Sequence, residues 1–274
     1  MNGPMEGKGF MKVLTVNRIK RRLEEGQVCY GTMLRTISSV HAVPLAASSG
    51  WDFVILDTEH CDFDTAEIAS LALVARYEEM SLLVRVPDKQ YHLMARTLDL
   101  GVDGLVLPRV DTPDQVSDII RATKYSPLGQ RGASISTVST RFRSVSGAEY
   151  LQWANRELIN VIQIESEEAV NRVDELVAPE GVDAVLIGPF DLSQSFGIPG
   201  QLSHPRMQEA YREVIRGCAE HGVASGAHLQ TVEEVSKWVG EGMRFVTFQY
   251  DSKLFQDASI NWLSQLRQID SSSD

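Results

Sequence analysis

Two carboxylates stand where a folded chain rarely leaves a charge without a task. Glu165 follows the apolar run VIQI in the segment VIQIES, and Asp191 follows a Gly-Pro step in IGPFDLS. A charged group at the end of a buried strand is usually paired or bound to a metal. Glu165 has a plain structural alternative, an ion pair with a neighbouring strand such as the one carrying Arg85. Asp191 has one too, a helix N-cap or an Asx-turn. Together, two oxygen donors at one opening suit Mg2+ or Mn2+, with water and substrate oxygens completing an octahedron. Gly188 and Pro189 let the backbone turn tightly towards a ligand at the same place.

A base and a cation lie on other segments. LDTEH ends on His60 behind Asp57 and Glu59, LLVRVP carries Arg85, and Gln163 stands two residues before Glu165. His228 ends VASGAH and is a second candidate. The other histidines read as surface or capping groups, with His41 and His92 inside helices, His204 opening one and His221 closing one. Cys61 is adjacent to His60, but neighbouring side chains seldom aim at each other and no third orienting group follows, so a nucleophilic pair is set aside. GQRG at 129–132 lacks the lysine and spacing of a phosphate loop, so Arg131 reads as a cap on the pocket or a loop support.

These residues need a scaffold that brings distant segments to one place. Eight short apolar runs, at 28–34, 52–57, 82–87, 104–110, 160–165, 184–189, 223–228 and 245–250, alternate with helix-length segments. Nearly continuous apolar strands are covered on both faces, and the alternation predicts an α/β chain, a single-domain (β/α)8 TIM barrel. Chemistry in such a barrel collects at the C-terminal strand ends, where His60, Arg85, Gln163, Glu165 and Asp191 all fall. DTAEIASLALVARYEEM is read as a helix with Ala66, Ala69, Leu73 and Val74 on one face, and TVEEV has the form of a capping box. SSVHAVPLAASSG is read as a helix starting at its serines, and TPDQV and HPRMQ offer Pro for a first turn. The barrel domain is expected over 13–270 behind a flexible segment 1–12, and the Ser- and Gly-rich first half of 126–159 reads as a functional or mobile loop.

Bulk composition narrows the function. With 26 Lys plus Arg against 37 Asp plus Glu, the formal charge of −11 argues against nucleic acid or an anionic membrane as the main partner. Three cysteines without a CxxC pair suggest no disulfide framework, and a reducing cytoplasm is the expected compartment. No stretch of 18 apolar residues is present, and the start lacks the apolar core of a signal peptide.

LDTEH, LVRVP, TLDLG, YSPLGQRG, VIQIES and IGPFDLS occur in this order, and over about residues 26–251 the chain closely resembles the HpcH/HpaI family of class II pyruvate aldolases. That family includes 4-hydroxy-2-oxoheptanedioate and 2-keto-3-deoxy-sugar-acid aldolases, and macrophomate synthase is similar. The resemblance implies that Glu165 and Asp191 hold a divalent ion (Mg2+ or Mn2+, with Co2+ as a further choice) and that Gln163 lies beside them. It implies Arg85 as the catalytic arginine, His60 as the base and Asp99 as the carboxylate that pairs with His60. It also implies a homo-oligomer, a hexamer or trimer, acting on a small 2-oxo acid and an aldehyde. Cys61, Asp62, Arg35 and His228 depart from the family's usual residues, which marks Arg35 and His228 as candidate contacts to the electrophile. The expected reaction is cleavage of a 4-hydroxy-2-oxo acid to pyruvate and an aldehyde, or the reverse addition. The alternatives are an oxaloacetate decarboxylase, a CoA-thioester lyase and a barrel that binds ligands without catalysis.

Overall fold

Eight runs dense in Val, Ile and Leu can cover both faces of a parallel sheet only if helices wrap its outside and its inside closes on itself. In the computed structural model, which describes residues 13–135 and 137–271, they do so. The strands pair in parallel and in chain order around a closed barrel. They are β1 Cys29–Leu34, β2 Phe53–Asp57, β3 Ser81–Arg85, β4 Gly104–Leu107, β5 Ile159–Ile164, β6 Ala184–Ile187, β7 Ala224–Leu229 and β8 Phe245–Tyr250. The helices are α1 Arg18–Glu24, α2 Ala42–Ser48, α3 Thr65–Glu78, α4 Tyr91–Asp99, α5 Pro113–Thr123, α6 Gly147–Glu157, α7 Glu167–Asn171, α8 Val173–Val177, α9 Pro189–Ser195, α10 Pro205–Glu220, α11 Val232–Gly240 and α12 Asp251–Ser271. Segment 1–12 lies outside the described residues.

Alternation along the strands divides the core in two. Phe53, Ile55, Leu83, Val106, Val161, Leu186 and Phe245 fill the barrel's inside, and Phe53 stacks on Phe245 with ring centroids 4.6 Å apart. Their neighbours in sequence, Val54, Leu56, Leu82, Leu105 and Ile162 among them, face the helices. β3, β4, β5 and β6 end one to three residues before the apolar runs do, and beyond β4, which stops at Leu107, Arg109 takes a left-handed backbone (φ 54°).

Local signals hold where capping chemistry is explicit. Thr231 and Glu234 form the expected box at α11, Thr112 and Gln115 form another at α5, and His204 caps α10. Two expectations fail. The face of α3 that is buried carries Ile68, Leu71, Ala72 and Ala75, while Ala66 and Leu73 are exposed. Leu71, Ala72, Leu73 and Val74 run consecutively, so apolar spacing alone could not choose the face. α2 begins only at Ala42, with His41 at its N-cap position and not inside it.

The Ser/Gly-rich loop lies at the far end of the barrel from the strand C-termini. It follows α5, and its Arg131 grips Asp99 at 2.6 Å, at the C-terminus of α4 just before β4 begins. The Arg131 side chain is fully buried, and its guanidinium also lies 4.9 Å from the Tyr125 ring centre. It is therefore a loop support and not a cap on the pocket. At the other end of the chain, Asp251 opens α12 and accepts the N–H groups of Arg35, Thr36 and Ile37 at 3.2, 2.9 and 2.7 Å. None of the helices among the described residues is long and apolar enough to cross a membrane.

Removing Asp99 leaves a buried guanidinium without its counter-charge. Asp99→Asn should lower stability by about 1–3 kcal/mol in a urea melt, less than for a wholly buried pair because Asp99 is partly solvated. An unchanged melt would show that the pair does not hold the loop.

Candidate active site

Parallel pairing of β2 with β3 sets Asp57 directly beside Arg85. Asp57 is wholly buried and accepts two hydrogen bonds from that one guanidinium, Nε to Oδ1 at 3.0 Å and Nη2 to Oδ2 at 2.7 Å. The N–H groups of Glu59 and His60 also donate to Oδ1, at 3.1 and 3.3 Å. Burial alone would raise the Asp57 carboxyl, but these donors and the Arg85 charge outweigh it and hold it below the ordinary carboxylate range. Arg85 keeps its proton for the reciprocal reason, since the Asp57 charge outweighs the desolvation of its mostly buried side chain. The cation is fixed in place and always charged.

Glu59 continues the network towards solvent. Its carboxylate lies 3.4 Å from Arg85 Nη1, also receives Arg109 Nη1, and is 3.8 Å from His60 Nε2. The His60 side chain is about half exposed at the mouth, where a base can reach a bound molecule.

Across the mouth, Glu165 comes one residue after β5 and is buried. Its Oε1 accepts the Arg109 N–H at 2.7 Å, and its Oε2 accepts from Gln163 Nε2. The structural alternative for Glu165, an ion pair with Arg85, is not the arrangement found, because Arg85 directs its donors to Asp57 and Glu59. Burial raises the Glu165 pKa, the Gln163 and Arg109 donors oppose this, and the nearby Glu59 and Asp191 charges reinforce it. A Cβ on Gly188 would stand 2.6 Å from Glu165 Oε2 and 2.8 Å from Gln163 Nε2, so only glycine leaves room for these side chains. Pro189 then starts α9, and Asp191 sits exposed in its first turn while Gly188 occupies the cap position. Asp191 is thus not the N-cap. Glu59, His60, Arg109, Glu165, Asp191 and Ser195 are among the residues lining one open cavity of about 370 Å³.

Oxygen donors dominate this cavity, as hard divalent cations prefer. Gln163 Oε1 is buried without a hydrogen-bond partner, and the charges of Glu59 and Asp191 raise the cost of ionising Glu165. A cation would relieve both, so the residues present fit a divalent ion. Among the described residues no three His, Cys, Asp or Glu side chains form a ready metal cage. The donor set is an open one.

Arg35 and His228 gather on the Asp57 side of the mouth. Arg35 Nε is 3.4 Å from Asp57 Oδ2, and its guanidinium lies 4.9 Å from the Tyr250 ring centre. His228 Nδ1 is 3.2 Å from Thr247 Oγ1. Burial, then the charges of Arg85 and Arg35, push the His228 pKa from 6.5 down to about 4, against a weaker pull from Asp57. The Cys61 thiol is raised, first by burial and also by Asp57, which disfavours a thiolate nucleophile.

Of the residues singled out in the sequence, His60, Arg85, Gln163, Gly188, Pro189, Glu165, Asp191, Arg35 and His228 thus line or flank one mouth. Asp99 does not join them, for it sits at the opposite barrel end on Arg131 and makes no pair with His60 inside this chain. Sequence reasoning gave Asp57 and Glu59 a place but no role, and it passed over Arg109. Asp57 had a readable signal, a carboxylate ending an apolar strand beside one ending in arginine. Arg109 reaches Glu165 through its backbone N–H at an unusual φ, which leaves no trace in residue type, and pairs its side chain with Glu59.

His228 also sets a pH dependence. The folded state keeps the ring neutral down to about pH 4, whereas an unfolded histidine takes up a proton near 6.5. Its contribution to stability is present above 6.5 and is lost as pH falls towards 4. His228→Asn should therefore flatten the fall of Tm between those values, and parallel Tm–pH curves for the two proteins would contradict the assignment.

Comparison with known proteins places this geometry. Residues 37–258 match the HpcH/HpaI aldolase/citrate lyase family. A 2-keto-3-deoxy-L-rhamnonate aldolase of Escherichia coli is 33% identical over 250 residues, covering 90% of this chain and 92% of its own. The crystal structure of an HpcH/HpaI aldolase from Desulfitobacterium hafniense superposes with a TM-score of 0.86 at 33% identity, covering 90% of this chain and 96% of that one. Macrophomate synthase shares the fold at 21% identity and a TM-score of 0.80, with 98% of this chain and 97% of that chain covered. With most of its length matched in this way, the chain belongs to the HpcH/HpaI aldolase/citrate lyase family.

Proposed function

We propose that this protein is a divalent-metal-dependent aldolase that cleaves 4-hydroxy-2-oxo acids to pyruvate and an aldehyde, or joins the two in reverse. Family membership makes it a carbon–carbon lyase. The observation that carries the finer reading is the meeting, at one mouth, of an oxygen donor set (Glu165, Asp191, Gln163) with a guanidinium fixed by a buried carboxylate. The name of its relatives makes 2-keto-3-deoxy sugar acids the first substrates to test.

Glu165 and Asp191 would hold the ion, with Gln163 Oε1 beside them. A divalent cation there supplies Lewis-acid stabilisation of charge on the substrate's keto oxygen. Arg85 directs its permanent charge at the same oxygen, and Asp57 keeps it from swinging away. In the cleavage direction, neutral His60 takes the proton of the C4 hydroxyl as the C3–C4 bond breaks. The bond's electron pair moves to C3 and the keto oxygen, giving the enolate of pyruvate, and a proton at C3 completes the product. Histidine suits this step because both protonation states are accessible near neutral pH. Pairing of Asp99 with His60 is not available inside one chain and would require a second copy.

Three experiments test the reading. Glu165→Gln or Asp191→Asn should remove most activity with the circular dichroism spectrum unchanged, and EDTA should inactivate the wild type until Mg2+, Mn2+ or Co2+ is added. Full activity after exhaustive chelation would exclude the metal role. Arg85→Ala should slow both aldol cleavage and solvent exchange of the pyruvate methyl protons by about 10²–10³. His60→Ala should slow cleavage severely but oxaloacetate decarboxylation less, because no hydroxyl proton is lost there. Equal loss of both activities would show that His60 acts on the enolate itself.

A further inference from the structure

Two loops at the mouth hold each other through exchanged side chains. The segment between β3 and α4 carries Lys89, whose Nζ donates to the carbonyl oxygens of Pro108 and Arg109 at 3.0 and 2.8 Å. Those carbonyls belong to the segment between β4 and α5. That segment answers with Arg109, whose Nη2 donates to the Pro87 carbonyl at 2.8 Å while its Nη1 meets Glu59. Each loop supplies a cation to the other's backbone.

The clamp closes over a backbone that needs holding. Arg109 has φ 54°, uncommon for a residue with a side chain. Such a conformation persists only where its surroundings fix it. Here it aims the amides of the turn at the end of β5. The Arg109 N–H donates to Glu165 Oε1 at 2.7 Å, and the Val110 N–H reaches the Gln163 carbonyl at 3.4 Å. Asp111 then accepts the Ser166 hydroxyl. Successive residues of one loop therefore grip Gln163, Glu165 and Ser166.

Charge alone gives no reason to place Lys89 there. Burial and then the Arg109 charge disfavour its ammonium, against a weaker pull from Asp88, Asp111 and Glu165. An ammonium close enough to feel Glu165 would also repel a cation held by Glu165, so as a bare charge it weakens the ion's hold. What Lys89 supplies is the pair of hydrogen bonds that fixes the Pro108–Arg109 turn.

We infer that Lys89 is a positioning residue for Glu165, fixing that carboxylate, by way of the Pro108–Arg109 turn, in the pose that takes the divalent ion. This role rests on the reading of Glu165 as a ligand of the ion. Ligating carboxylates are oriented by outer hydrogen bonds of this kind, and their loss costs roughly 10–100-fold in metal affinity.

Titration of the full chain with Mn2+, the free ion followed by electron paramagnetic resonance, tests the role. Lys89→Met should raise the Mn2+ dissociation constant by about tenfold or more, and Lys89→Arg, which keeps the donors, should stay close to the wild type. The sign separates the alternatives, because loss of a bare charge would tighten binding. At saturating Mn2+, exchange of the pyruvate methyl protons in Lys89→Met should return nearly to the wild-type rate. An unchanged or lowered dissociation constant, or a rate that stays low at saturation, would overturn the inference. Arg109→Asn and Arg109→Val remove the same guanidinium, but Asn accepts a left-handed backbone and β-branched Val resists it. The Val variant should therefore bind Mn2+ several-fold more weakly than the Asn variant, and equal affinities would show that the turn does not set the carboxylate. Glu165→Gln is the control. Wild-type Mn2+ affinity in that variant would end the metal reading and the Lys89 role together, whereas weakened binding there with unchanged binding in Lys89→Met would end the Lys89 role alone.

Discussion

A carboxylate with no solvent exposure has to be neutralised or abandoned, and Asp57 is neutralised by Arg85. In a low-dielectric interior, removing one member of such a pair costs about 3–5 kcal/mol, because the other charge stays behind. The register between β2 and β3 is therefore committed to this contact. Its direction also fixes the chemistry at the mouth. Arg85 spends two donors on Asp57 and turns a third towards Glu59, so its position is set before any ligand arrives. Glu59, steered by Arg85 and Arg109, in turn brings negative charge towards Glu165. The site's electrostatics descend from one buried ion pair.

Much of this was legible because it rests on residue types whose burial is conspicuous. A glutamate ending VIQI, an arginine ending LLV and a histidine ending LDTE each break an apolar rhythm, and barrel topology sends every such break to the same end. Strand count, order and closure followed from the same rhythm. Features that depend on shape were not legible. α3 presents apolar residues on several sides, and only packing selects Ile68 and Leu71 over Leu73. Asp99 ends a helix in a motif that family resemblance ties to catalysis, yet within this chain its geometry is that of a loop anchor. Gly188 read as a turn, whereas its missing Cβ makes room for Glu165 and Gln163.

Arg35 and His228 flank the mouth on the side away from the oxygen donors. Neither lies among the oxygen donors, and both lean on groups that are already fixed, Asp57 for Arg35 and Thr247 for His228. A neutral imidazole between guanidinium groups can exchange hydrogen bonds with hydroxyls without adding charge. Both groups therefore stand beside the seat of Arg85 without contributing to the oxygen donor set.

Asp251 gives the molecule a mechanical property that no list of contacts reveals. Its carboxylate gathers three successive amides, those of Arg35, Thr36 and Ile37, while its own backbone is the root of α12. Loop and helix therefore pivot on a common point, and a tilt of the helix is a displacement of the guanidinium at the mouth. Thermodynamic linkage runs in both directions. Whatever grips the far end of that lever biases the seat of Arg35, and whatever settles against Arg35 alters, by the same free energy, how firmly the lever is held.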